Sequence, residues 1–182
     1  SKREYRRLIN VFQAHNIGYF FYNGGGDSQD TTNKIAQYTV DAGFPVTCIG
    51  IPKTIDNDLP YTDNCPGFGS VAKYIATSTK EAALDVKSMS KSSTKVFILE
   101  VMGRHAGWLA ASAGLAKSKE NSAPHIILLP EVPFNEKAFL KKVKEVVNKE
   151  GYCVIVVSEG TQYANGKFLA DSGSVDSFGH KQ

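Results

Sequence analysis

The chain has 182 residues, enough for one sizeable domain or for a piece of a larger protein, and its 42% hydrophobic and 21% charged content is that of an ordinary globular chain. A formal net charge of +3 without a concentrated basic stripe argues against nucleic acid as a partner. No apolar run is long enough to cross a bilayer and no signal-peptide pattern is visible, which argues against a membrane role.

In chain order, residues 3–15 predict a helix with Tyr5, Leu8, Ile9 and Phe12 on one face. Residues 17–22 read as a buried strand, followed by a turn rich in Gly, Asp and Ser. A helix over 31–41 stops at Gly43, Phe44 and Pro45, and residues 46–51 form a second strand. After a long polar loop, residues 68–89 predict a helix, 96–101 a third strand, 108–117 a short Ala-rich helix and 126–129 a fourth strand. Asn135 is a plausible N-cap for a helix over 136–149, where Phe139, Leu140, Val143, Val146 and Val147 recur at helical spacing and the lysines form a solvated face. Residues 152–157 are a fifth strand. Apolar strands alternating with helices predict an α/β fold, a Rossmann-like three-layer sandwich with a mostly parallel sheet covered on both faces. Cys48, Cys65 and Cys153 form no CxxC pair and read as small buried hydrophobes in a reducing cytoplasm.

Polar clusters follow four of the strands, at the carboxyl ends where open α/β sheets bind ligands, and are expected to converge on one cleft. Gly24, Gly25, Gly26, Asp27 and Ser28 suit either a phosphate-binding turn or a simple tight turn. Lys53, Thr54, Asp56 and Asp58 follow the second strand. If the backbone stays extended, Asp56 and Asp58 face one cleft, and a carboxylate so placed can take a proton from a hydroxyl; an Asx-turn that only reverses the chain fits the same composition. Met102, Gly103 and Arg104 follow the third strand, and Ser158, Glu159 and Gly160 the fifth. The run from Gly67 to Ala72 fits a degenerate GxGxxA pattern but follows a Pro-containing loop rather than a strand, so it is not read as a nucleotide site.

Thr54, Ile55, Asp56, Asn57 and Asp58 resemble the TIDND motif of phosphofructokinases. Residues 102–104 with Ala106 and Gly107 resemble the MGR motif, residues 24–28 the GGDGS segment, and residues 158–160 the late Glu-Gly of that family. The resemblance runs from about Ile17 to the closing residues 178–182. It implies that Asp56 is the general base for the 1-hydroxyl of fructose 6-phosphate, that Thr54 holds that hydroxyl, and that Asp58 tunes the base or orders magnesium-bound water. It implies that Arg104 neutralises the transferring phosphoryl group, and that Met102, Gly103 and Glu159 hold the sugar.

Lys53 and Asp27 stand where ATP-using bacterial members carry glycines, a pair that resembles the pattern of pyrophosphate users. Asp27 would crowd a nucleotide α-phosphate and Lys53 would neutralise the leaving group. Gly24, Gly25, Gly26, Asp27, Ser28 and Lys53 are therefore the expected donor-phosphate site, with ATP as the alternative donor. The expected cofactor is Mg2+. Its usual carboxylate position falls on Gly26, leaving Asp27 or Asp58 as ligands. Lys95 stands where short bacterial relatives place an arginine across a subunit interface, and lacks its bidentate fork. The resemblance further implies that residues 1–182 are a central fragment, mostly sugar-phosphate-binding domain with part of the donor-site domain. Such a fragment is expected to be inactive alone and to come from a cytoplasmic homo-oligomer. A non-catalytic regulatory subunit is the other reading that Gly26 favours.

Overall fold

The computed structural model describes residues 2–171, so the closing residues 178–182 lie outside the described residues. The chain divides into two compact units, Ser1–Thr54 and Ile55–Gln182.

In the first unit, helix α1 (Lys2–Ala14), strand β1 (Tyr19–Gly24), helix α2 (Gly26–Asp41) and strand β2 (Thr47–Pro52) form a βαβ unit preceded by a helix. The two strands pair in parallel, with Tyr19 opposite Thr47 and Gly24 opposite Pro52. Phe12, Ile35 and Val46 are buried together, with Tyr5, Leu8, Phe20 and Cys48 packed around them. Tyr5 of α1 stacks on Tyr38 of α2 at 4.5 Å between ring centroids. The alternation of a strand sends Phe20 and Cys48 toward these helices and Tyr19, Phe21, Ile49 and Ile51 to the opposite face. That face is open: Tyr19 is 70% and Phe21 59% exposed. The expectation of a strand buried on both faces is corrected here, because the helices of this unit cover one face only.

The second unit holds helix α3 (Phe68–Met89), strand β3 (Val96–Val101), helix α4 (Trp108–Ser112), strand β4 (Ile126–Leu128), helix α5 (Glu136–Glu150) and strand β5 (Cys153–Ser158). All pairings are parallel, in the order β3-β5-β4. The predicted α/β class with parallel sheets therefore holds, as two separate sheets. Central β5 is the most buried strand and runs through the core. Val156 packs with Ile75, Val101, Leu109, Ala110 and Ala113, and Val154 with Ala83, Val86, Ala123 and Tyr152. Each Val, Leu or Ile among them contributes about 1.5–3 kcal/mol on burial. The predicted 108–117 helix is α4 continued by a 3-10 turn, Ala113–Ala116.

Asn135 caps α5 as expected, its Oδ1 accepting the Ala138 N–H at 3.0 Å, and Gly151 ends the helix in the left-handed region at φ 85°. No residue of α5 is fully buried and Leu140 is largely exposed, so its apolar stripe is only half covered. Cys65 and Cys153 are buried free thiols and Cys48 is half-buried.

His125 extends the β4–β5 ladder with its side chain. Its N–H donates to Val154 O at 2.8 Å, and its Nδ1 accepts the Val154 N–H at 2.9 Å. The ring is therefore the neutral tautomer with the proton on Nε2, which lies 3.2 Å from Ser122 Oγ. Burial pushes its pKa below the ordinary 6.5, against a raising influence from Glu150. A depressed folded pKa means that this stabilisation is present above 6.5 and is lost as pH falls through the lower, folded value. In urea unfolding, the midpoint is expected to drop between pH 7.5 and pH 5 more in the wild type than in His125→Asn, whose amide oxygen keeps the acceptor without the titration. Equal drops would remove His125 as the cause.

Candidate active site

Parallel pairing decides where the polar clusters go, because it places the carboxyl ends of paired strands at one sheet edge. In the first unit, Lys53 N donates to Gly24 O at 2.9 Å and so holds the two strand ends in register. Helix α2 starts at Gly26, with Gly25 as N-cap and no side-chain cap. The sequence expectation of a helix beginning at Thr31 is corrected: Asp27 and Ser28 form its first turn. Leading amides of a helix lack intrahelical partners and favour an anion. A Cβ on Gly24 would lie 2.2 Å from Ser28 Oγ, so only glycine allows this turn to close. A Cβ on Gly25 would lie 4.0 Å from Lys53 Nζ, which places the ammonium beside the glycine turn.

In the second unit, Val101 pairs with Ser158, and Glu159 N donates to Val101 O at 2.9 Å. Three further contacts fix the loop after β3. Ser158 Oγ donates to Gly103 O; Gly103 N donates to Glu159 Oε1 at 3.3 Å; Gly107 N donates to Glu131 Oε1 at 2.8 Å. Gly103 sits at φ 118°, where a side chain is strained and where its Cβ would come 2.5 Å from Ala106 O. A Cβ on Gly160 would lie 1.9 Å from Arg104 O. Met102, Arg104 and His105 project from this packed turn and are exposed.

Asp56 is half-buried beside the same turn. Burial is the first cause that raises its pKa above the ordinary 3.8, followed by the negative charges of Asp58 and Glu159; His105 and Arg104 pull the other way. Asp56, Asp58, Arg104 and Glu159 thus share one electrostatic neighbourhood. The backbone between the two aspartates is not extended, as one expectation required. Asn57 is left-handed at φ 58°, so the segment turns, and Asp58 is exposed while Asp56 is shielded.

The phosphofructokinase family matches residues 1–180. The chain belongs to the phosphofructokinase family. It is 61% identical over 181 residues to a pyrophosphate–fructose 6-phosphate 1-phosphotransferase of Halomonas elongata, covering 100% of this chain and 43% of that relative. A pyrophosphate-dependent phosphofructokinase from Marinobacter aquaeolei, solved as a crystal structure, superposes with a TM-score of 0.76 at 68% identity, over 90% of this chain and 42% of that one. An ATP-dependent 6-phosphofructokinase 2 of Streptomyces coelicolor is 38% identical over 175 residues, 93% of this chain and 48% of the relative. The chain thus spans less than half the length of these proteins.

The cluster after β2 is divided between the two compact units. Lys53 belongs with the glycine turn and Asp56 with the arginine loop, with Thr54 the last residue of the first unit. Lys95 does not join either group. It precedes β3, and its carbonyl accepts the Cys153 N–H at 2.7 Å at the amino end of the sheet. The seven extended steps across β3 put it about 23 Å from Met102. Gly26 offers no metal ligand, and among the described residues no three His, Cys, Asp or Glu side chains cluster to hold a metal.

Gln29 and Glu131 were missed by sequence reasoning, and Asn57 and Ser158 were named there only as motif members without a role. Gln29 Nε2 donates to Gly24 O at 3.0 Å, and its Oε1 lies where a Gly50 Cβ would be. Nothing in local composition separates these residues from surface polar ones, since their partners lie across the sheet edge or around a loop.

Gly160→Ala is the sharpest test of this packing. The added methyl meets rigid backbone, so denaturant unfolding should show a loss of roughly 2–4 kcal/mol, with displacement of residues 102–104. A change under about 0.5 kcal/mol would show that the two turns are not in contact.

Proposed function

We propose that the parent protein transfers a phosphoryl group from pyrophosphate to the 1-hydroxyl of fructose 6-phosphate, giving fructose 1,6-bisphosphate and orthophosphate. The observation that carries this reading is the neighbourhood of Asp56, with Arg104 and Glu159 beside it. The sugar oxygen O1 attacks the terminal phosphorus, the bridging P–O bond of pyrophosphate breaks, and the hydroxyl proton goes to Asp56. A carboxylate with a raised pKa is a stronger base than an exposed one. Thr54, two residues before Asp56, holds the attacking hydroxyl. Arg104 neutralises charge on the transferring group, where a preformed cation is worth most. Glu159 keeps Oε1 on Gly103 N and offers Oε2 to a sugar hydroxyl, while Met102 and Gly103 line the sugar.

The first unit supplies the donor site. Gly24, Gly25, Gly26, Asp27 and Ser28 form the anion-favouring helix start, with Lys53 beside it to neutralise the leaving orthophosphate. Asp27 and Lys53, together with the name of the relative at 61% identity, favour pyrophosphate over ATP. Asp27 or Asp58 would hold magnesium, as a single carboxylate sharing the ion with substrate phosphates, and the ion would supply charge neutralisation on the pyrophosphate when bound. Lys95, remote from this chain's cluster, is left to meet the sugar phosphate of a neighbouring copy in a homo-oligomer. The three free thiols are in keeping with a reducing, cytoplasmic setting. Gly26 favours a second reading, a non-catalytic regulatory subunit.

The test is steady-state transfer to fructose 6-phosphate by the full-length parent, with pyrophosphate or ATP as donor. Pyrophosphate alone should support turnover. Arg104→Lys, which keeps the charge but loses the planar fork, should lower kcat roughly 10²–10³-fold. Turnover with ATP alone would overturn the donor assignment, and turnover with neither would favour the regulatory subunit. The 182-residue chain by itself should show no measurable turnover.

A further inference from the structure

The loop that carries Asp56 has an organising side chain of its own. Asn57 is 8% exposed although it follows a half-buried aspartate in a polar loop. Its Oδ1 accepts the Cys65 N–H at 2.8 Å, and its Nδ2 donates to Asp63 O at a longer 3.4 Å. The amide therefore ties the chain leaving Asp56 to the segment that enters α3. Cys65 is fully buried, and its carbonyl in turn accepts the Phe68 N–H at 3.1 Å, the first residue of α3. On the other side of Asp56, Ile55 packs against the core cluster of Ile75, Val101, Leu109 and Val156. Asp56 is held between an apolar anchor and a polar one. The left-handed backbone at Asn57, φ 58°, is one that asparagine tolerates better than most residues, and it lets Asp58 leave toward solvent while Asp56 stays shielded.

We infer that Asn57 is a positioning residue, whose side-chain amide fixes the direction of the Asp56 carboxylate by clamping the loop to the start of α3. This rests on the reading of Asp56 as the base. Asn57 itself transfers no proton. It acts by keeping Asp56 in reach of the attacking hydroxyl, and a misplacement of about 1 Å can cost about a hundredfold in rate.

The experiment uses the full-length parent as wild type, Asn57→Gly, Asn57→Ala, Asp56→Ala and the Asp56→Ala/Asn57→Gly double variant. Glycine keeps the left-handed backbone and removes both hydrogen bonds; alanine removes the bonds and strains the backbone as well. Initial rates give kcat and KM, calorimetry gives fructose 6-phosphate affinity, and thermal unfolding gives Tm. Asn57→Gly should lower kcat by about tenfold or more while sugar-phosphate affinity stays within about twofold. Asn57→Ala should melt lower still, with the same kcat per folded enzyme. In the Asp56→Ala background, Asn57→Gly should change the residual rate by less than about twofold, because the group it positions is gone. A wild-type kcat in Asn57→Gly would overturn the inference, as would an equal loss with and without Asp56. The two readings fail separately. If ATP proves to be the donor, the pyrophosphate assignment falls and the cycle is read with ATP. If the wild type transfers from neither donor, both fall.

Discussion

The candidate site depends on one close approach, that of Gly160 to the Arg104 carbonyl. No side chain fits between them, since a Cβ on Gly160 would come within 1.9 Å of that oxygen. The approach follows from the parallel register of β3 and β5, which ends with Val101 opposite Ser158. Once the two strand ends are level, the turns after them must stack. Ser158 and Glu159 then satisfy the carbonyl and amide of Gly103, groups that would otherwise be stranded in the turn. Arg104 is presented outward because everything around its backbone is fixed.

Against this frame Asp56 is set at an energetic cost. Its raised pKa means that the ionised form opposes folding at neutral pH, and that this opposition fades as pH falls through the raised value toward the ordinary one. The core of the second unit, built on Val156, Leu109 and Ile75, takes in the neighbouring Ile55 and offsets it. The unfavourable group is also the one read as the base, a pairing expected at functional sites.

The motifs were legible in sequence because each sits where an apolar strand gives way to a polar or glycine-rich turn. The boundaries of α3 and β3 were legible as well, since Gly67 and the apolar run at 96–101 punctuate them sharply. Three features were not. The start of α2 was hidden because a glycine run reads as a turn, although Gly25 can cap a helix through its backbone alone. The bend at Asn57 was left open between an extended segment and an Asx-turn, because a left-handed asparagine has no hydrophobic period to decide it. The open faces of β1 and α5 were hidden because hydrophobicity states what can be buried, while burial needs a covering layer that the described residues do not supply. For Lys95, sequence spacing from Met102 matched a family position, but six extended residues carry it to the far end of the strand.

The most direct measurement is the effect of Asp56→Ala in the full-length protein on kcat and on fructose 6-phosphate affinity, read together. A fall in kcat of about a hundredfold or more, with sugar-phosphate affinity within a few-fold of wild type, is the result expected if Asp56 is the base and the sugar is held independently of it by Glu159 and the Gly103 turn. Retained kcat, or a loss confined to affinity, would contradict the account and reduce Asp56 to a residue of the turn.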